Sequence, residues 1–499
     1  MAAIAKLLFS RKTPNIPSLL EISLDDIRIG LENESFTATD LVHAYTKGIQ
    51  EIDYVFKSAI EVNPDAASIT QQLDEEAKNP GRRGPLHRVP IMLKNNIVTL
   101  NRMEATAGSA ALLGAKSAHE ASIVPKLCEA GAVILGKITL TEWAHHRWSN
   151  APTGWCPRGS QCTRPFYPNM NASGSSTGSG VATVLRLTFA ALGTETGGSI
   201  CNPAGKANVV GLKPTTGLVA RDGLVPASNR LDAATILTAI AGRSEADNRT
   251  WDIPLDKIPD YSSAYQSSNL KGIQIDESEA FDKVIHELKN AGAEIVDKVE
   301  LSAAKAWETY SSTDQLIVTI SYFAPSLANY FKTLKSNPNN LHSLEDLIEY
   351  TKRAPAEAYL RYNVDTFELA LRKDHYESDK YRKLEEFRAD VVSRGGIDGS
   401  LDRRKFEVLV TPTAAGTPVS FASLGGSPLI AVPLGFYGPN TSVVKDKKGD
   451  VVSIAPGIRF PNCFCAGRFE EEKLVRVAHA FEAIHEMEAG NSTSYRRRI

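Results

Sequence analysis

The sequence predicts an α/β protein, a β-sheet covered by helices. Three observations carry that expectation. Short apolar runs of strand length, at 89–93, 132–135 and 429–432, are set off by glycine and proline turn signals. Segments with helical spacing alternate with them, as in a sheet packed beneath helices. The 499 residues, 42% hydrophobic and 23% charged, can bury a large core.

The first elements are helices. Leu24, Ile27 and Leu31 form one apolar stripe, and Leu41, Ala44 and Ile49 form a second, opened by Thr37 or Thr39 as N-cap. Residues 1–80 read as a helical scaffold within the same unit as the core, which spans 81–499. The Gly84-Pro85 turn then leads into the buried strand 89–93, which delivers Lys94 at its end. Residues 122–129 read as helix, 132–135 as strand and 139–143 as the opening of another helix. The apolar segment from Val181 starts as a helix behind a serine-glycine cluster. Residues 345–394, rich in Glu, Lys and Arg at helical spacing, read as a solvated helical face without chemistry. Strands are expected at 406–410 and 429–432, a polar loop at 437–450, and a closing amphipathic helix at 471–487.

A formal net charge of -2 gives no electrostatic reason to expect nucleic acid or an anionic membrane. Six cysteines without disulfide spacing read as thiols of a reducing compartment. The expected location is the cytoplasm. Mitochondria are the alternative, because Lys6, Arg11 and Lys12 precede any acid and faintly resemble a transit peptide.

Several motifs point to chemistry that their context withholds. Gly131 to Lys137 spells G-x-x-x-x-G-K, but Ile138 replaces the magnesium-binding hydroxyl and the intervening residues form a strand. Cys463 and Cys465 have no second pair nearby and His145-His146 diverge on a helix, so no metal is expected. Gly174-Ser-Ser-Thr-Gly178 matches a nucleophile elbow, yet it follows a polar, proline-broken loop where that elbow needs a buried strand. A Ser-His-Asp hydrolase also lacks a well-placed later histidine.

Two clusters remain. Ser175 and Ser176 stand before a helix N-terminus, where orphan amides attract negative charge. Ser199 ends Thr194-Glu-Thr-Gly-Gly-Ser, whose glycines can turn successive N–H groups toward one point, an oxyanion nest. A serine needs a base, and a lysine kept neutral by burial can serve. Lys94 follows the apolar run that would bury it.

At this density the motifs resemble one family. GPLHRVPIMLKNNI (84–97), ATAGSAALLG (105–114), GAVILGKITLTEWA (131–144), SGSSTGSG (173–180), ALGTETGGSI (191–200) and VVGLKPTTGLVARDGLVP (209–226) are similar to the amidase signature family. Later stretches, 427–436 and 455–474, extend the likeness to nearly the whole chain. The resemblance implies the amidase signature fold, a large mixed sheet with helices on both faces. It implies an amide hydrolase that forms an acyl-enzyme on Ser199, with Ser175, 24 positions earlier and preceded by a cis peptide, as bridge and Lys94 as base. It also implies an oxyanion hole from the backbone N–H groups of Thr196, Gly197, Gly198 and Ser199, with Ser176 and Thr177 supporting the loop. No cofactor is implied. The expected partner is a small-molecule amide, with a homodimer as an option and neither nucleic acid nor membrane.

The chain departs from the family in places. Cys201 and Asn202 stand where many members have an arginine and an apolar residue. A connecting piece of roughly a dozen family residues is missing between Pro226 and Asp232, and the region after Asp276 is short. Two rivals follow: an inert binding or scaffold protein of the same fold, and the glutaminase subunit of a tRNA-dependent amidotransferase. Trp143, Trp148 and Trp155 fit either a substrate wall or the core, with core packing preferred.

Overall fold

In the computed structural model, the described residues are 14–78, 83–226, 237–254, 258, 261, 274–277, 282–297, 299, 301–372, 378–411, 416–446, 448 and 451–489. The transit-like N-terminus, the junction before Asp232 and most of the stretch between Asp276 and the next helix lie outside them.

Helices α1 (Leu24–Glu32) and α2 (Ala38–Phe56) open on capping boxes, Ser23 with Asp26 and Thr37 with Asp40. Thr37 is the cap of α2, while the Thr39 hydroxyl bonds Thr70 and Asp74. Strand β1 (Ala59–Val62) and α3 (Ala66–Glu76) follow, so the N-terminal scaffold also supplies a strand. Next come β2 (Pro90–Lys94), α4 (Ile123–Glu129), β3 (Val133–Ile138), α5 (Thr177–Val184) and β4 (Ala190–Leu192). These strands form a mixed sheet in the order β1-β3-β2-β4, antiparallel at β1 and parallel elsewhere.

A second mixed sheet continues from α6 (Cys201–Lys206). It comprises β5 (Gly211–Lys213), β6 (Gln274–Glu277), β7 (Glu294–Asp297), β8 (Val408–Thr411), β9 (Leu429–Phe436) and β10 (Arg459–Ala466). Their order is β5-β9-β10-β8-β6-β7. The closing helix α7 (Glu471–Ala489) packs on β9 and β10, and α6 covers β5, β9 and β10. Apolar faces from both sheets meet the helices in one core, which includes Ile27, Leu41, Ile91, Leu93, Val133, Leu135, Val432 and Phe464. All six cysteines are free thiols. No described helix is long and apolar enough to cross a membrane.

The helix expected from 139 does not form. Residues Glu142–His145 make one irregular turn in which Trp143 and Ala144 adopt left-handed φ values of 49° and 53°, a hand that a helix of L-residues cannot propagate. That turn buries Glu142 and Trp143 together. The polar loop at 437–450 carries a short strand, Val444–Lys445, paired with Val452–Ile454. The charged stretch 345–394 does contain solvated helices, such as Asp379–Asp390, but Glu357 within it is fully buried against Arg147.

Candidate active site

Three pieces of chain converge at the ends of β2 and β3. Strand β2 is buried along its length and ends at Lys94, which is itself fully buried. The loop after β3 grips the first serine cluster: Thr141 N–H donates to Ser175 O at 3.0 Å, and Gly178 N–H donates to Thr139 O at 2.8 Å. A Cβ at Gly178 would lie 2.4 Å from Ser58 O and 2.7 Å from Thr139 N, so only glycine lets α5 start this close to the sheet. The second cluster joins through Ser176 N–H, which donates to Ser199 O at 3.0 Å. The Gly174–Ser175 peptide is cis.

Lys94 Nζ sits inside a cage of hydroxyls. It lies 2.8 Å from Ser175 Oγ, 3.0 Å from Ser176 Oγ, 2.9 Å from Thr194 Oγ1 and 3.1 Å from Thr194 O. Burial pushes the amine well below the ordinary lysine value, and the nearby Glu195 charge pulls partly the other way. Ser176 Oγ also donates to Thr194 O and accepts from Thr194 N–H, each at 3.1 Å, so it ties the two clusters together. Thr177 Oγ1 donates to Ser173 O at 2.8 Å and closes the loop around Ser175.

The turn from Thr194 to Ile200 exposes Gly197, and a side chain there would point into open space. Ser199 is half-buried beside it, and among the described residues its hydroxyl makes no hydrogen bond. Lys94 and Ser175 are therefore in contact, while Ser199 is brought alongside by its backbone. The nest differs from expectation at Gly198: at φ +84° its N–H turns inward and donates to Glu195 at 2.8 Å. The N–H groups of Gly197 and Ser199 have no partner among the described residues.

Sequence reasoning missed three residues. Thr194 supplies two of the Lys94 contacts, Asn96 Nδ2 donates to Thr194 Oγ1 at 3.2 Å, and the buried Glu195 holds the turn. Only Glu195 left a signal, a carboxylate three residues before a glycine whose amide needs an acceptor.

The motifs set aside from the sequence fall elsewhere. Lys137 donates to Ile97 O within the sheet layer, and Cys463 and Cys465 pack in the core on β10. His146 stacks on Phe323 at 5.5 Å, and burial lowers its pKa to about 4. Trp143 and Trp148 are core residues, whereas Trp155 is partly exposed and lies against Tyr362 at 4.4 Å.

The amidase family model matches residues 40–437. A protein of Arthroderma benhamiae, named only as an amidase, is 36% identical over 530 aligned positions, covering 96% of this chain and 88% of that protein. The alignment is longer than the chain's 499 residues, so that relative carries segments absent here. The structure of native peptide amidase from Stenotrophomonas maltophilia superposes with a TM-score of 0.80 at 31% identity, covering 93% of this chain and 96% of that one. A glutamyl-tRNA(Gln) amidotransferase subunit from an Exiguobacterium species is 27% identical over 93% of this chain and 98% of its own. Taken with the α/β architecture and the buried lysine beside its serines, these matches establish that the chain belongs to the amidase signature family and is an amide hydrolase.

Proposed function

We propose that the chain cleaves small carboxylic amides through an acyl-enzyme on Ser199, with Ser175 as proton relay and Lys94 as base. The observation that carries this reading is the 2.8 Å contact between a fully buried lysine amine and the Ser175 hydroxyl. Burial supports a neutral amine, because desolvation pushes Lys94 well below the ordinary lysine value. A neutral Lys94 can accept the Ser175 O–H through its lone pair.

In acylation, Ser199 Oγ attacks the amide carbon while its proton passes to Ser175 Oγ and the Ser175 proton passes to Lys94. The carbonyl oxygen becomes an oxyanion that the Gly197 and Ser199 N–H groups can meet, with Thr196 beside them. Gly198 serves the turn instead, because its N–H is already committed to Glu195. The relay then reverses: Lys94 returns a proton through Ser175 to the amide nitrogen, the C–N bond breaks and the amine leaves. Water attacks the ester by the same route, releasing the carboxylate and restoring Ser199. An amine leaves poorly unless protonated, and a base that becomes an acid meets that need.

The test is intact-protein mass spectrometry with a fluorophosphonate probe, together with turnover of an aryl amide by the purified chain. Wild type should gain one adduct, Ser199→Ala none, and Lys94→Ala the adduct only slowly. Equal labelling of Ser199→Ala would overturn the nucleophile. The likeness to the amidotransferase component supports a second reading, a glutaminase that needs partner chains. Turnover of simple amides by the isolated chain would exclude it, and the peptide amidase likeness makes peptide amides the next substrates to try.

A further inference from the structure

Glu195 is a buried carboxylate without a cation in hydrogen-bonding contact among the described residues. Its acceptors are filled by backbone instead: Gly198 N–H at 2.8 Å on one oxygen, Ile200 N–H at 2.6 Å and Cys201 N–H at 3.0 Å on the other. The residue two positions after Ser199 is Cys201, whose thiol points away toward Gly211 O and Leu429 O, at 3.6 and 3.8 Å, into an apolar cluster. Among the described residues the hydrogen bonds to this carboxylate thus come from backbone amides, on the same short turn as Ser199.

We propose that Glu195 is a positioning residue for Ser199: it gathers the inward N–H groups of the turn so that those of Gly197 and Ser199 stay open toward substrate, and its charge acts across the core on Lys94. This inference rests on Ser199 as nucleophile. Its first half follows from the hydrogen-bond pattern. Successive amides of a tight turn cannot all point one way. By drawing in the N–H groups at 198, 200 and 201, the carboxylate decides which ones are left. Its second half follows from burial. Thr194 joins the two residues, its own hydroxyl and carbonyl bonding Lys94, and a charge held in a water-poor interior is screened little.

The other groups around Lys94 are the hydroxyls of Ser175, Ser176 and Thr194, the buried imidazole of His146, and Lys137 one strand over, whose amine turns to Ile97 O. His146 is uncharged at neutral pH, since burial brings its pKa to about 4. Lys137 is brought to about 7 by burial, so its titration is separated by repeating the profile in Lys137→Met. Glu195 is the anion of the set. It favours protonated Lys94, so removing its charge makes the amine easier to deprotonate.

The experiment is the pH profile of kcat and KM for wild type, Glu195→Gln and Glu195→Asp with an aryl amide. The acidic limb of kcat/KM should move down by about one pH unit in Glu195→Gln, as expected for loss of an opposite charge near a base. It should stay in place in Glu195→Asp. In Glu195→Gln kcat should fall about 100-fold, in line with loss of an aligned oxyanion donor, and KM should change less than about threefold. If Glu195→Gln does not fold, Glu195→Asn against Glu195→Asp makes the same charge comparison. Superimposable acidic limbs, or a loss carried wholly by KM, would overturn the proposal. Fluorophosphonate labelling of Ser199→Ala decides the nucleophile separately, so the two readings fail on different data.

Discussion

At the residue scale the decisive fact is a fully buried amine. Lys94 is wholly buried, and its cage offers hydroxyls and a carbonyl in place of a contacting carboxylate. A lysine whose folded pKa is depressed is charged at low pH and neutral above that value, so amide turnover should rise as pH increases through it. Lys94→Met keeps the volume, removes the proposed base and should lower kcat/KM by about 10²- to 10⁴-fold, the usual reach of general base catalysis. Steady-state kinetics from pH 5 to 10 would check both, because the variant should also lose the acidic limb. A limb retained in Lys94→Met would mean that another group titrates. Lys94 was legible because the apolar run before it announces burial. Thr194 and Asn96 were not, since a polar residue acting through contacts about a hundred positions away in sequence leaves no local pattern.

At the element scale the site is a matter of how closely α5 can approach the loop after β3. The helix starts at Thr177, and the N–H of Gly178 is bonded to Thr139 O at 2.8 Å. Gly178→Ala would place a methyl 2.4 Å from Ser58 O, and that oxygen is backbone, held by the N–H of Thr139 at 2.8 Å. The helix must therefore retreat. We expect a loss of about 1–3 kcal/mol, the range for overpacking, and a fall in kcat because Ser175 retreats with the helix. Denaturant unfolding with a fluorophosphonate rate on the same preparation would test this, and unchanged labelling would show that the proposed relay tolerates the shift. Strand β2 and helix α5 were readable from the sequence through apolar runs and a serine-glycine start. The turn at 142–145 was not, because its spacing is helical while its left-handed backbone is set by burying Glu142 and Trp143 at once.

At the scale of the whole molecule, the sheet carrying Lys94 is tied to a separate apolar cluster, around Phe323, Leu327 and Phe367, by buried charges. Arg147 reaches Glu142 at 2.6 Å and Glu357 at 2.8 Å, all three side chains fully buried, and Glu357 also accepts from Ser109 Oγ and Ala110 N–H. The sequence hid this link because Glu357 lies 210 positions from Arg147, in a stretch whose composition reads as solvated. Two carboxyls share one guanidinium, so one of them is favoured in the neutral form. Burial, then the Glu357 charge, pushes Glu142 well above the ordinary carboxyl range. A carboxyl whose folded pKa is raised contributes stability that is complete below its unfolded value, near 4.5, and is lost as pH rises through the folded value. Glu142→Gln mimics the protonated form and escapes that loss. Its advantage over wild type should therefore grow from pH 5 upward by at most about 1.4 kcal/mol per pH unit, the slope of one proton. Calorimetric Tm measured from pH 5 to 8 would show it, and parallel curves would mean that both carboxylates stay ionised against Arg147 and that the link between the two clusters is an ordinary buried ion pair.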